Sequence, residues 1–155
     1  MIQHLTHHKA TISDVEAIIN LLVEDDLGKT REQAASDPRY LEAFYKIDAD
    51  PNQYLMVVKK SDEIVGTCHL TLTPSLTFIG STRMQIEAVR VAVAFRGHGI
   101  GQWMIQAAIK YGKQNGAVII HLTTNKKRLR AKQFYERLGF DASHEGMKLY
   151  LEKES

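Results

Sequence analysis

The stretch Val89-Arg90-Val91-Ala92-Val93-Ala94-Phe95-Arg96-Gly97-His98-Gly99-Ile100-Gly101 constrains this chain more than any other. A strand-like apolar run ends in glycines spaced two apart, and helical periodicity begins directly afterwards. Gly97, Gly99 and Gly101 let the backbone turn with positive φ where needed and put no Cβ in a ligand's way. The first amides of a helix have no intrahelical partner, and the helix dipole adds positive character there. A strand-to-helix turn of this kind suits a pyrophosphate. A plain β-to-α turn carries the same glycines, so the turn alone leaves both readings open. Two other phosphate-binding patterns are excluded. The Walker lysine followed by Ser or Thr is missing, since Gly101 leads into Gln102-Trp103. The dinucleotide spacing G-x-G-x-x-G fails as well, and the turn comes late in the chain.

The remaining pattern places this turn in an α/β chain. An opening strand is expected within 2–12. Ser13 and Glu16 fit a capping box for a helix over 14–25, where Val15, Ile18, Ile19, Leu22 and Val23 recur at helical spacing. A second helical region covers 30–47 and is expected to break near Pro38. Tyr54–Val58 and Ile64–Thr73 read as a hairpin around Ser61-Asp62-Glu63. A strand over Arg83–Val93 leads into the turn, and a helix over 99–115 follows, ending near Gly116. Val118–Leu122 reads as a buried strand. A helix over 127–138 stops at Gly139, and Met147–Leu151 reads as a last strand. The order β-α-α-β-β-β-α-β-α-β predicts a mixed sheet with helices on its faces.

Composition narrows the partners. At 155 residues, with no linker and no internal repeat, the chain fits a single domain spanning 1–155. A net charge of +2 is too mild to announce nucleic acid or an anionic membrane. The apolar runs fall well short of the ~20 residues that span a bilayer. No charged-then-apolar leader opens the chain, so no secretory signal is expected. The single cysteine, Cys68, excludes an intramolecular disulfide and a Cys-rich zinc site, and a reducing cytoplasm is the simplest location.

Arg96-Gly97-His98-Gly99-Ile100-Gly101 resembles the Q/R-x-x-G-x-G/A signature of the GNAT superfamily of N-acetyltransferases, with Val91 five residues before the arginine as in that family. Asn125 followed by Ala131-Lys132-Gln133-Phe134-Tyr135-Glu136-Arg137-Leu138-Gly139-Phe140 resembles the family's N…A…FYE-x-LGF segment. The two motifs occur in the family's order and separation. Val93 departs from it, standing where many members carry proline. The resemblance implies an α/β (α+β) fold with a central mixed, mostly antiparallel sheet whose central strands splay. It implies acetyl-CoA as co-substrate and direct acetyl transfer to an amine. The amides of Gly97, His98, Gly99, Ile100 and Gly101, beside Arg96, would hold the pyrophosphate. The strand ending near Val91 would splay from the one ending near Thr123, and backbone groups around Val89 and Val91 would bond the pantetheine arm. Asn125 would touch that arm or a bound water, a role compatible with capping the next helix. Homodimers are common in that family, and exposed strand edges invite pairing, so a homodimer is an expectation too.

Acetyl transfer needs a neutral amine, whereas a lysine-type amine has a pKa of about 10.4. A base must take the proton, and the leaving thiolate gains from a donor. Tyr135 holds the family's tyrosine position and is the expected donor; a purely packing ring is the alternative. Glu87 is the expected base. Its even spacing from Val89 and Val91 predicts one shared face, partly desolvated among Ile86, Val89 and Val91. A surface glutamate paired with Arg90 or Arg83 is the alternative.

Other residues read as less specific. Lys126, Lys127, Arg128 and Arg130 form a basic run, one of which could meet the CoA 3′-phosphate. His4, His7 and His8 lack the convergence a metal needs and read as solvated or substrate-side, so no metal is expected. His69 and His121, in strands, read as hydrogen-bonded structural histidines. Trp103 and Met104 read as core. Cys68 has no His/Asp partner, which favours direct transfer over a covalent relay. The acceptor pocket is expected between the 14–47 helical region and the loop around Pro74–Ser81. Asp25, Asp26, Asp37 and Glu42 could attract a cation there. The expected acceptor is the primary amine of a small molecule or amino-acid-like substrate; a protein lysine or N-terminal acetyltransferase and an idle CoA-binding regulatory module are the competing functions.

Overall fold

Five strands form one sheet, in spatial order β1-β2-β3-β4-β5. Its strands are β1 (Leu5–Lys9), β2 (Gln53–Lys60), β3 (Glu63–Pro74), β4 (Thr82–Val91) and β5 (Ala117–His121). All neighbours are antiparallel except β4 and β5, which are parallel and joined through a crossover helix, α3 (Ile100–Gln114). Helices α1 (Val15–Glu24) and α2 (Pro38–Ala49) connect β1 to β2. The structure, a computed structural model, describes residues 3–24, 32, 34, 35 and 37–152. It comprises two compact units, Met1–Leu122, which holds this sheet, and Thr123–Ser155.

Both faces of the sheet are covered. On one, Val15, Ile18, Ile19 and Phe44 from α1 and α2 bury against Val57. On the other, α3 comes close: a Cβ on Gly112 would lie 3.0 Å from Met84 Cε, so a larger residue there would have to push the end of that side chain aside. Met56, Leu70, Met84, Ile86, Met104 and Ile105 are all at most 1% exposed. Burying such a side chain is worth about 1.5–3 kcal/mol, and these carry the fold.

Helix starts differ from the sequence pattern for identifiable reasons. The capping box uses Thr11 and Asp14 rather than Ser13 and Glu16, because a 3₁₀ turn, Ile12–Asp14, precedes α1. The buried Asp14 carboxylate accepts the Thr11 N–H at 2.9 Å, the Thr11 hydroxyl at 3.2 Å and a bond from His8 Nε2 at 3.0 Å. Pro38 begins α2 instead of breaking a longer helix. Its fixed φ suits the first helical position, and Asp37 caps it by accepting the Arg39 N–H at 2.9 Å. The part of the expected helical region at 30, 31, 33 and 36 lies outside the described residues, as do Ile2, Asp25 and Asp26. β4 ends at Val91, not Val93, because Val93–Phe95 forms a 3₁₀ turn. The family's usual proline would remove the Val93 N–H, which here donates to Glu24 Oε1 at 3.3 Å.

β4 carries a bulge that decides the site. Ala88 has a φ of 54°, and the ladder to β3 slips there: Glu87 lies opposite His69, yet Arg90 lies opposite Thr67. Three steps along β4 match two along β3. The single face predicted for Glu87, Val89 and Val91 is therefore wrong. Opposed residues share a face, so Glu87 joins His69, Thr67 and Arg90 on the α1–α2 side. Val91, opposite Gly66, joins the α3 side with Leu70 and Ile86.

In the unit after Leu122, α4 runs over Leu129–Arg137, shorter than the predicted 127–138. Gly139 ends it with a φ of 99°, and the Phe140 N–H bonds back to Tyr135 O at 3.1 Å. The last predicted strand is absent. Residues 147–151 form no ladder among the described residues, and Met147, Leu149, Tyr150 and Leu151 are largely exposed. An apolar run becomes a strand only where a neighbour completes its hydrogen bonds.

Candidate active site

The glycine turn is built as a backbone cradle. Gly97 and Gly99 have φ of 82° and 84°, which L side chains rarely adopt, and Gly99 caps α3. Nothing lies within 4 Å of a Cβ built on Gly97. The Trp103 N–H bonds to Gly99 O at 3.1 Å, so the amides of Ile100, Gly101 and Gln102 open the helix without intrahelical acceptors. Ile100 is buried and anchors the helix end, whereas Gly97, His98 and Gly99 face solvent. This is the geometry an anionic group needs: open approach, aligned amides and a helix N-terminus of fifteen residues behind them.

Beside the turn, β4 and β5 part. Their pairing stops at Gln85–His121, while β4 stays paired with β3 as far as Val91–Gly66. Past Gln85, that edge of β4 has no strand partner among the described residues. Two of its carbonyls are nevertheless satisfied, contrary to the expectation of free groups. Val89 O accepts from Arg90 Nη1 at 2.9 Å, and Val91 O accepts from Arg96 Nε at 3.1 Å. A pantetheine-like arm would displace these guanidinium contacts or use the edge N–H groups.

On the α1–α2 side of β4 lies a groove of about 450 Å³, lined by α2 (Lys46, Ile47), Asp50 just after it, β2 (Gln53), β3 (His69, Thr71) and β4 (Gln85, Glu87). Glu87 is half-exposed there, with a side chain 50% accessible, rather than desolvated among Ile86, Val89 and Val91. Its Oε1 lies 4.0 Å from His69 Nδ1. The other ring nitrogen, His69 Nε2, lies 2.7 Å from Gln53 Oε1, and the Thr71 hydroxyl donates to the same oxygen at 2.9 Å. Burial lowers the His69 pKa below its ordinary value, and the Glu87 charge opposes this in part.

The other two candidates belong to the unit after Leu122. Tyr135 is buried on α4, its ring edge-on to Phe134 and Phe140 at 5.1 and 5.8 Å. Asn125 does not cap α4. It forms a local turn in which Oδ1 accepts the Lys127 N–H at 2.9 Å, and Arg128 takes the position before the helix.

The sequence pattern of the acetyltransferase (GNAT) family matches residues 16–140. The chain belongs to the GNAT family of acetyltransferases. It is an acyltransferase, of a family whose co-substrate is acetyl-CoA. It is 30% identical to the aminoalkylphosphonate N-acetyltransferase of Salmonella typhimurium over 138 residues, 87% of this chain and 84% of that protein. It is 34% identical to the glucosamine 6-phosphate N-acetyltransferase of Trypanosoma brucei brucei over 88 residues, 57% of this chain and 58% of that protein. Among solved structures, one from Bacillus halodurans C-125 described as a transcriptional regulator superposes with a TM-score of 0.92. That pair shares 43% identity over 96% of this chain and all of that one.

Several other sequence readings of this GNAT protein now have positions. Cys68 is fully buried, which pushes its thiol pKa up to about 12, so it is no nucleophile. His8 is tied to Asp14 rather than simply solvated, whereas His7 is exposed as expected, its ring 5.9 Å from that of Trp103. Among the described residues no cluster of three His, Cys, Asp or Glu could hold a metal, and no helix is long and apolar enough to cross a membrane. His69 is hydrogen-bonded in its strand as expected, to Gln53, and Gln53 and Thr71 form the part of the groove that the sequence did not single out. Their spacing is uninformative until the strand register is known.

Proposed function

We propose that this GNAT protein moves the acetyl group of acetyl-CoA directly to the primary amine of a small molecule that also carries an anionic group. The observation that carries this reading is the glycine cradle at the start of α3 beside the unpaired stretch of β4. It supplies amides for the pyrophosphate and an opened strand edge for the arm. The amine enters from the groove. Glu87 and Asp50 favour an ammonium, and Lys46 favours an anion on the same molecule. Both named relatives act, by their names, on amines bearing a phosphonate or phosphate, which agrees with that mixed charge.

The acetyl-CoA supplies the activated acyl carbon. Backbone N–H groups of β4 near Val89 and Val91 polarise its carbonyl oxygen, and Tyr135 donates to the departing sulfur. Asn125 contacts the arm or a bound water. A regulatory module that binds CoA without turnover is the second reading, favoured by the description of the 43%-identical Bacillus halodurans structure. Thiol release from acetyl-CoA separates the two when assayed with 2-aminoethylphosphonate, glucosamine 6-phosphate, simple amino acids and lysine peptides. Turnover on the anionic amines is the expected result. Binding without turnover on the whole panel selects the module, and turnover confined to peptides selects a protein acetyltransferase.

A further inference from the structure

We infer that His69, rather than Glu87, takes the proton from the acceptor amine, through its Nδ1, with Gln53 fixing the ring's tautomer. This rests on the acetyl-transfer reading above. Gln53 Oε1 receives the Thr71 hydroxyl at 2.9 Å and faces His69 Nε2 at 2.7 Å, while Gln53 Nε2 points to the Asp50 carboxylate at 3.4 Å. The carboxylate fixes which end of the amide is nitrogen. The oxygen can only accept, so His69 Nε2 must carry the hydrogen. In the neutral ring Nδ1 is then a bare lone pair. It lies 4.0 Å from Glu87 Oε1, and that oxygen of an ionised carboxylate is also only an acceptor.

Two acceptors at that separation do not bond each other, yet one ammonium nitrogen at about 2.9 Å from both fits between them. Glu87 holds the cation, and His69 accepts one of its protons. The nitrogen lone pair, now free, forms the bond to the acetyl carbon, and the carbon–sulfur bond breaks with its electrons going to sulfur. A second amine proton ends on the sulfur as thiol by way of the donor, and His69 returns its own proton to water. The charged groups lining the groove around the ring are Lys46 from α2, Asp50 just after that helix and Glu87 from β4, with Arg90 next along the same face. Of these Glu87 is the one that shifts His69, upward against the larger lowering by burial, and the net lowering favours the neutral ring. A side chain 18% accessible is reachable by a small amine.

Nitrogen-15 spectra of the histidine-labelled full chain test the tautomer without any substrate. His69 should show hydrogen on Nε2, none on Nδ1, and a midpoint below 6.5. Hydrogen on Nδ1 overturns the inference. The pH dependence of kcat/KM for 2-aminoethylphosphonate tests the role. Wild type should lose activity with falling pH at the His69 midpoint. His69→Gln should abolish that limb, lower kcat/KM about a hundredfold near neutrality, and recover at high pH where more amine is already neutral. Glu87→Gln should keep the limb but move it to lower pH, since the carboxylate that raises the His69 pKa is gone. A limb that vanishes in Glu87→Gln and survives in His69→Gln returns the role to Glu87 and overturns the inference. No transfer by wild type to any amine of the panel would sink the acetyltransferase reading itself, which the spectra leave distinguishable.

Discussion

The glycine turn and the groove on the other side of β4 are made of different materials. The turn is backbone: amides, two positive-φ glycines and a helix end, with no side chain required at its mouth. The groove is side chains drawn from α2, β2, β3 and β4. A backbone cradle recognises charge and shape and is indifferent to the rest of the ligand, which suits a carrier common to a whole family. A side-chain groove can be altered one residue at a time without disturbing that carrier. The two regions share one strand, and a one-residue bulge at Ala88 turns Glu87 toward the groove while Val91 stays with the other face. The faces of that strand are thus reassigned between Glu87 and Val91.

The largest effect should come from closing the cradle. Gly101 lies inside α3 and is not among the positive-φ glycines, so Gly101→Val adds bulk at the helix start without the backbone strain that Gly99→Val would add at a φ of 84°. Acetyl-CoA affinity by calorimetry should fall at least tenfold, roughly 1.4 kcal/mol or more, and equally for every acceptor. Unchanged affinity would break the assignment of the turn as the pyrophosphate site. A variant that changed acceptor preference instead would break the division between cradle and groove. Tyr135→Phe should come next. It keeps the ring against Phe134 and Phe140 and removes only the hydroxyl. The turnover number should fall about ten- to a hundredfold, with acetyl-CoA affinity and acceptor KM nearly constant. Wild-type turnover would limit Tyr135 to packing.

The cradle was legible because its information is contiguous. Glycine spacing, the strand before it and the helix after it lie within a short run of the chain, and local physics fixes the outcome. The same holds for α1, the β2–β3 hairpin and the Gly139 cap. The groove was not legible in that way. Glu87 was singled out, but its face was misread, because period-2 counting assumes a regular strand and nothing in Glu87-Ala88-Val89 announces a bulge. Ala88 takes a positive φ without being glycine, asparagine or aspartate, so the usual signal is missing. His69 and Gln53 are sixteen residues apart and meet only through the β2–β3 register. The final strand failed for a related reason. Apolar alternation in Met147–Leu151 describes a side-chain pattern, whereas a strand exists only where a second backbone completes the ladder.

The smallest effect should come from the bulge itself. An alanine in the left-handed region costs roughly 1 kcal/mol that glycine does not, while glycine gains freedom in the unfolded chain worth about the same. Ala88→Gly should therefore change stability by less than about 1 kcal/mol in urea unfolding, and leave both acetyl-CoA affinity and acceptor turnover near wild type. Ala88→Val asks for the same backbone from a β-branched side chain and should destabilise the chain by more than Ala88→Gly changes it. The contrast tests whether the positive φ is held in place by the surrounding ladder. If the valine variant were as stable as wild type, the bulge would have to relax into a regular strand. Glu87 would then turn from the groove, and acceptor turnover should fall while acetyl-CoA still binds the turn. A valine variant equal to wild type in both stability and turnover would show that the face assignment of Glu87 does not depend on Ala88.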